Sequence, residues 1–236
     1  MQKDDFFKFE SETPDFPFYN ENPRISTGKW TVMILSVILT LVLIMVSDFL
    51  SELGTFRRLV YFIIPVLGFG FAINWKYGLI CKKIKKSDIK LIVILLISQL
   101  AVTLFLSTVL TYLGIVAQDN PVTSELMLIS TWLIFPLQLF GEELIKIIPF
   151  IFFLTVFYHF TKNRKMSIVI ATVLTLILFA LLHLPAYQNL ISVLVLQGFC
   201  SIFTMYGYLK TKNIFVSYAI HFLLDTFIFM LVLISP

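Results

Sequence analysis

Charged residues and cysteines are scarce in this sequence. Of its 236 residues, 14% are Asp, Glu, Lys or Arg, whereas soluble domains usually carry about 25%. The two cysteines, Cys81 and Cys200, are far apart and have neither the spacing of a metal-binding motif nor that of a disulfide framework. We expect both to be reduced and structural. The composition excludes an ordinary soluble domain and a disulfide-stabilised secreted one.

Apolar residues take the place of the missing charge. They make up 58% of the chain, the mean hydropathy is +0.93, and long apolar runs recur from residue 30 to the C-terminus. A transmembrane helix needs about 20 such residues to cross ~30 Å of hydrocarbon. We therefore expect an all-α, polytopic transmembrane helix bundle whose solvent is the lipid bilayer.

The apolar runs predict about seven helices. The fourth run would reach about 50 Å as one helix, so Pro136 is expected to separate an interfacial or re-entrant lead-in from a span that begins near Gly141. Splitting that run would give eight helices. The predicted helices cover about 30–47, 58–80, 89–113, 128–160, 167–184, 190–209 and 214–234.

Residues 1–29 form a polar, acidic and aromatic segment ahead of the predicted bundle at 30–236. No cleavable signal peptide is visible, because the segment opens with acidic residues and leads into a full-length span. We expect a mobile cytosolic tail, with docking of a partner as the alternative.

The positive charges predict the orientation of the bundle. Lys and Arg cluster in the linkers after the second, fourth and sixth predicted spans, and such an excess marks the cytoplasmic side. We expect a multi-pass protein of the cell membrane, with the N-terminus in the cytoplasm and the C-terminus outside. Short basic bursts between apolar runs also argue against a nucleic-acid partner. The three clusters are Lys82, Lys83, Lys85, Lys86 and Lys90; Lys162, Arg164 and Lys165; and Lys210 and Lys212.

Several ionisable residues fall inside the predicted spans, where a charged side chain costs about 2.5–3.5 kcal/mol on insertion scales. Glu142 and Lys146 are four residues apart and are expected to pair on one helix face. One ammonium group cannot neutralise both Glu142 and Glu143, so a further cation or a proton is needed. The six residues are Glu142, Glu143, Lys146, His183, His221 and Asp225.

Together these groups predict activation of water. They supply a base, an imidazole acid or ligand, and an orienting carboxylate. The sequence contains no Ser or Cys nucleophile in an elbow motif and no His-Glu-x-x-His helix. Hydrolysis without a covalent intermediate is therefore the natural interpretation.

The order of the motifs resembles a known family. Glu142-Glu143, Phe179-x-x-x-His183 and His221-x-x-x-Asp225 are similar to the motifs of the CAAX protease and bacteriocin-processing family (CPBP, or Abi) of intramembrane proteases. The resemblance covers about residues 125–232. It implies that Glu142 and His183 activate the attacking water, and that His221 and Asp225 stabilise the oxyanion or bind metal, with Glu143 in the same catalytic group.

One position departs from the family pattern Glu-Glu-x-x-x-Arg. Ile147 stands at the position of the Arg, and Lys146 lies one place earlier. The resulting Glu-Glu-x-x-Lys form is similar to that of PrsW-type membrane proteases. If zinc is bound, its ligands would be Glu142, His183, His221 and Asp225, whose imidazole and carboxylate groups suit that metal, although the same four groups could work without metal.

The sequence thus predicts an intramembrane endopeptidase, of CAAX-protease type, that cleaves a membrane-associated peptide or protein with activated water. One alternative is a catalytically silent protein that serves as a bacteriocin-immunity or membrane scaffold protein. A second is a proton-coupled transporter, because buried Glu, His and Asp residues also mark proton paths. No internal repeat supports the transporter.

Overall fold

The structure, a computed structural model, describes residues 6–10, 15–45, 47–116 and 124–234. Every regular element in these ranges is helical, which confirms the all-α prediction. Seven helices in the described ranges are long and apolar enough to cross a membrane, which confirms the prediction of about seven spans. They are Thr27–Ile44, Glu52–Ala72, Lys86–Tyr112, Ile129–Thr161, Arg164–Leu182, Leu190–Thr211 and Ile214–Ile234.

We label the main α-helices in chain order. A 3-10 segment, Ser47–Leu59, precedes α2. Parts of the predicted tail, and of the loop between α3 and α4, lie outside the described residues. The helices are α1 (Thr27–Met45), α2 (Val60–Ala72), α3 (Lys86–Tyr112), α4 (Ile129–Thr161), α5 (Arg164–Leu182), α6 (Ile202–Thr211) and α7 (Ile214–Ile234).

Helix α4 is continuous over 33 residues and contains both Pro136 and Pro149. The predicted break at Pro136 is therefore wrong. Proline removes the backbone hydrogen bond to the carbonyl four residues earlier, and such a loss is tolerated in membrane helices whose neighbours support the backbone. The Tyr218 hydroxyl donates to the Pro136 carbonyl at 3.1 Å and so links α7 to this turn of α4. At about 50 Å, α4 must tilt or project beyond a bilayer core of ~30 Å.

The sixth span is irregular before α6 begins. A π-helical turn, Val193–Gly198, leads into a 3-10 turn, Phe199–Ser201. A Cβ added at Gly198 would lie 2.9 Å from the Ala180 Cβ, so glycine allows this span to approach α5 closely. The π-helical turn packs against α5, and the irregular turns lead into α6, which packs against α3 and α7.

Helix α4 lies at the centre of the bundle and contacts α1, α2, α5 and α7. Its buried residues Leu144, Ile147 and Ile148 belong to the largest apolar cluster. Apolar side chains on the other helices point outward, among them Ile97 and Phe105 of α3. Such outward apolar faces match a hydrocarbon solvent.

The described parts of the N-terminal segment pack against one end of the bundle, which the sequence did not predict. Phe16 is 1% exposed, and its ring lies 5.3 Å from that of Phe150. Glu10 accepts hydrogen bonds from both terminal nitrogens of Arg164, at 2.9 and 2.6 Å, and one from Lys212 at 2.8 Å. Apolar and ionic contacts together fasten this segment to α5 and to the turn between α6 and α7.

Candidate active site

Glu143 lies at the centre of a buried polar cluster and is 0% exposed. Lys146 Nζ donates to its Oε1 at 2.6 Å, and the Ser217 hydroxyl donates to its Oε2 at 2.5 Å. The Nδ1 atom of His221 lies 2.9 Å from the same Oε1. Both carboxylate oxygens of Glu143 are therefore occupied, and this residue ties α4 to α7.

The cation on α4 pairs with the second glutamate. Besides Glu143, Lys146 Nζ donates to the Thr204 hydroxyl of α6 at 2.8 Å, and it lies 5.0 Å from the centre of the Phe179 ring. The predicted pairing of Lys146 with Glu142 is wrong. Lys146 donates instead to Glu143, three residues earlier on the same helix, and to Thr204, so its ammonium group lies on the helix face that carries Glu143.

Glu142 lies on a different part of the α4 surface and is half-buried. Gln138, one turn earlier, donates to its Oε1 at 2.8 Å. Within the part of the chain that the structure describes, this is the hydrogen bond that Glu142 receives. Its second oxygen is thus available to a water molecule or a substrate, in contrast to both oxygens of Glu143.

His183 follows the last residue of α5. Its Nδ1 lies 2.7 Å from the Phe179 carbonyl oxygen. Because a carbonyl can only accept a hydrogen bond, Nδ1 carries the hydrogen and Nε2 of the neutral ring is an acceptor. His183 also interacts electrostatically with Glu142, His221 and Asp225.

His221 lies between two carboxylates. Its Nδ1 faces Glu143, and its Nε2 lies 3.5 Å from Asp225 Oδ2, beyond the usual N–H···O range of about 2.7–3.2 Å. The Phe179 ring lies 4.8 Å from the His183 ring and 6.3 Å from the His221 ring. Phe179 thus joins the three helices that carry the polar groups.

The donor atoms do not converge as a zinc site. In the described residues, no group of three or more His, Cys, Asp or Glu side chains is placed to hold a metal ion. Both ring nitrogens of His221 face carboxylates, and the Nδ1 of His183 faces a carbonyl. We therefore derive no step through a metal. The zinc ligand set predicted from the sequence and a metal-free mechanism make opposite predictions about the effect of a chelator.

Several residues of the cluster were not selected from the sequence. Gln138 precedes Glu142 by four residues and Ser217 precedes His221 by four, so helical spacing could have pointed to both. Thr204 carries no such signal, because its contact with Lys146 joins residues 58 apart in the chain.

Comparison with known proteins bears on this cluster. A family model described as type II CAAX prenyl endopeptidase Rce1-like matches residues 121–227. This part of the chain is similar to the Rce1-like endopeptidases. The resemblance to the CAAX proteases is thereby confirmed over that region. No curated protein and no solved structure matches the chain.

The Rce1-like region contains all the site residues predicted from the sequence, from Glu142 on α4 to Asp225 on α7. It does not contain α2, which packs against α4 beside the first glutamate. A Cβ added at Gly141 would lie 1.9 Å from the Tyr61 carbonyl oxygen, so the backbones of α2 and α4 nearly touch there. The surroundings of Glu142 thus extend outside the Rce1-like region.

Proposed function

We propose that the chain is an intramembrane endopeptidase of CAAX-protease type, which cleaves a peptide bond of a membrane-associated substrate with an activated water. The main support is that His183 and His221 both lie beside the Phe179 ring, and that Glu142 and Asp225 are close enough to interact electrostatically with His183. All of these residues fall within the region that matches the Rce1-like endopeptidases.

Glu142 is the general base. It has a carboxylate oxygen that receives no hydrogen bond within the described residues, whereas Glu143 has none to spare. A water held between Glu142 and the acceptor Nε2 of His183 transfers a proton to Glu142 as its oxygen attacks the scissile carbonyl. The product of this step is a tetrahedral oxyanion, with the transferred proton on Glu142.

His221 is the donor to that oxyanion. Both ring nitrogens face carboxylates, so the ring acts as an imidazolium with a hydrogen on each nitrogen. Its Nε2 lies 3.5 Å from Asp225, so a small rotation can direct the Nε2–H to the developing charge. Glu143 fixes the opposite nitrogen at 2.9 Å and acts as a positioning residue. Donors placed in advance toward a developing charge are often the largest contribution to catalysis.

Collapse of the tetrahedral intermediate completes the reaction. The carbonyl reforms, the C–N bond breaks, and Glu142 returns its proton to the departing amine. The products are a carboxylic acid and an amine, with one water consumed. Glu142 thus serves first as base and then as acid.

Replacement of Glu142 tests this function. Glu142→Gln preserves the shape and most of the hydrogen bonding but cannot accept a proton, so we expect normal amounts of folded protein and a rate of peptide cleavage lower by about 10²–10⁴. The assay uses the full chain in lipid vesicles with a prenylated peptide that ends in a CAAX sequence. Glu52→Gln, at an exposed carboxylate, is the matched control and should cleave normally.

The catalytically silent interpretation makes the opposite prediction. If Glu142→Gln protein accumulates normally and performs as well as wild type, Glu142 is not the base, and an immunity or scaffold role replaces the proposed one. If wild type and Glu52→Gln both fail to cleave any membrane peptide, the proposed function is wrong.

A further inference from the structure

Arg58, at the end of the 3-10 segment before α2, is a buried cation outside the predicted catalytic group. Its side chain is 8% exposed, and its Nη2 lies 2.9 Å from Glu125 Oε2. The neighbouring Arg57 is 36% exposed and lies 3.8 Å from Oε1 of the same carboxylate. Two guanidinium groups thus share one carboxylate, and Arg58 is the buried one.

One arm of the Arg58 guanidinium has no partner. Within the described residues, Nη1 is buried and makes no hydrogen bond. Buried polar groups are nearly always paired, and an arginine fork is suited to bind a carboxylate through two nitrogens. The free nitrogen is therefore a donor that an anionic ligand can satisfy.

This free arm lies near the proposed base. Arg58 is one helical turn before Tyr61, whose carbonyl nearly touches Gly141 of α4. Arg58 and Tyr61 both interact electrostatically with Glu142. Arg58, at the end of the 3-10 segment, and Glu142, on α4, thus lie on two segments that contact each other, both close to the contact between Tyr61 and Gly141.

A second unpaired atom lies one helical turn before Glu142 on α4. Gln138 donates its amide N–H to Glu142, and its Oε1 is buried without a hydrogen-bond partner among the described residues. A peptide backbone has both N–H and C=O groups to offer such atoms. A free donor and a free acceptor therefore both lie in the part of the bundle next to the base, as expected of a site that binds a peptide.

We propose that Arg58 binds a carboxylate of the peptide substrate, a few residues from the scissile bond, and so sets specificity for substrates with an anionic end. The proposal rests on the proposed endopeptidase function. An extended peptide advances about 3.5 Å per residue, so a group one helical turn from the contact between Tyr61 and Gly141 lies a short distance along the substrate. Either the C-terminal carboxylate or an acidic side chain near the C-terminus supplies the required chemistry.

Three matched peptides test the proposal. All carry the same prenylated sequence; one ends in a free carboxylate, one in a carboxamide, and one in a carboxamide with Glu as its last residue. For wild type, we expect kcat/KM to fall about 10- to 100-fold from the first peptide to the second, the range of one charge-assisted hydrogen bond. Recovery with the third peptide would identify a side-chain carboxylate as sufficient, and no recovery would identify the terminal carboxylate.

Variants of the two arginines separate recognition from structure. In Arg58→Gln, the first two peptides should be cleaved with nearly equal kcat/KM, mainly through an increase of KM for the free acid. Arg57→Gln, which removes the exposed neighbour on the same Glu125, should keep the wild-type ratio. If Arg58→Gln protein does not fold, Arg58→Lys keeps the charge beside Glu125 but loses the fork, and its ratio should fall below that of wild type.

Two results would overturn the assignment. The first is that wild type cleaves the free-acid and carboxamide peptides with equal kcat/KM. The second is that folded Arg58→Gln protein keeps the wild-type ratio of kcat/KM while its kcat falls equally for both peptides. Arg58 would then act only on Glu142. Both differ from failure of the proposed function, in which wild type cleaves none of the three peptides.

Discussion

Lys146 and Glu143, three residues apart on α4, form an ion pair at 2.6 Å with both side chains inaccessible to solvent. Removing one partner of such a pair leaves a buried charge, which usually costs about 3–5 kcal/mol. Glu142, by contrast, is half-buried and lies outside this pair. Loss of the two adjacent glutamates should therefore have different effects. Glu143 supports the fold, and Glu142 is available for chemistry.

A double-mutant cycle measures the ion pair. We expect Glu143→Gln and Lys146→Met each to destabilise the protein by about 3–5 kcal/mol, and the double variant to be destabilised by less than the sum, because it leaves no unpaired charge. Unfolding by denaturant in detergent provides the measurement. Additive effects would show that the two residues are not coupled, and Glu142→Gln serves as the control that leaves the pair intact.

Packing of the N-terminal segment makes a second prediction. Phe16, 1% exposed, packs against Phe150 and Tyr208, so Phe16→Ala should lower the free energy of unfolding by about 3–5 kcal/mol. Phe160→Ala is the matched control, because Phe160 is 77% exposed and its loss should be nearly neutral. Equal melting temperatures for the two variants would mean that the segment does not contribute to stability.

The ion pairs of Glu10 should make the contribution of the N-terminal segment to the free energy of unfolding sensitive to acid. Burial opposes ionisation of Glu10, but hydrogen bonds and charges from Arg164 and Lys212 outweigh it and hold the pKa of Glu10 below its ordinary value of 4.5. Since the folded state has the lower pKa, the stabilisation is present above pH 4.5 and is lost as the pH falls through the folded-state pKa.

The comparison with Glu10→Gln isolates this effect. The difference in melting temperature between wild type and Glu10→Gln should be large at pH 7 and should shrink as the pH falls below 4.5. A difference that stays constant down to the acid limit of the protein's stability would contradict the role assigned to the ionised carboxylate.

The basic linkers predict the orientation of the bundle. Accessibility tags inserted after Lys85 and after Lys212 should be labelled from the cytoplasmic side, and a tag after Val116 from the outside. Labelling of the tags after Lys85 and Val116 from the same side would mean that α3 does not cross the membrane. That result would contradict a bundle of seven spans.

The donor geometry predicts that cleavage survives chelation. The His221 nitrogens both face carboxylates, so we expect peptide cleavage to persist in chelator and purified protein to contain much less than one zinc per chain by elemental analysis. Stoichiometric zinc that is lost in His183→Ala, together with loss of activity in chelator, would instead support the zinc ligand set predicted from the sequence.

The membrane fold was predictable from the sequence because length and apolarity alone decide whether a helix can span the bilayer. The continuity of α4 through Pro136 was not, since proline usually breaks or kinks a helix and the packing of α4 among α1, α2, α5 and α7 arises only in the folded bundle. The same holds for the packing of Phe16, whose aromatic neighbours lie on distant helices.

For the candidate site, spacing along one helix pointed to residue types but not to their partners. Lys146 can reach a carboxylate three or four residues away, and both Glu142 and Glu143 satisfy that condition. The choice depends on Thr204, which the irregular turns of the sixth span bring next to α4. Arg58 gave no signal at all, because its proximity to Glu142 arises from packing of α2 against α4.

The close approach of Gly141 to Tyr61 has a consequence for the minimal unit of function. Any side chain at position 141 would meet the Tyr61 carbonyl, so the carboxylate next to it is held against a helix that lies some 60 residues before the matched region. A fragment limited to residues 121–227 would retain every recognised motif and still lack the helix that packs beside Glu142. The first half of the chain, which carries no motif of its own, thus supplies part of the surroundings of the candidate site.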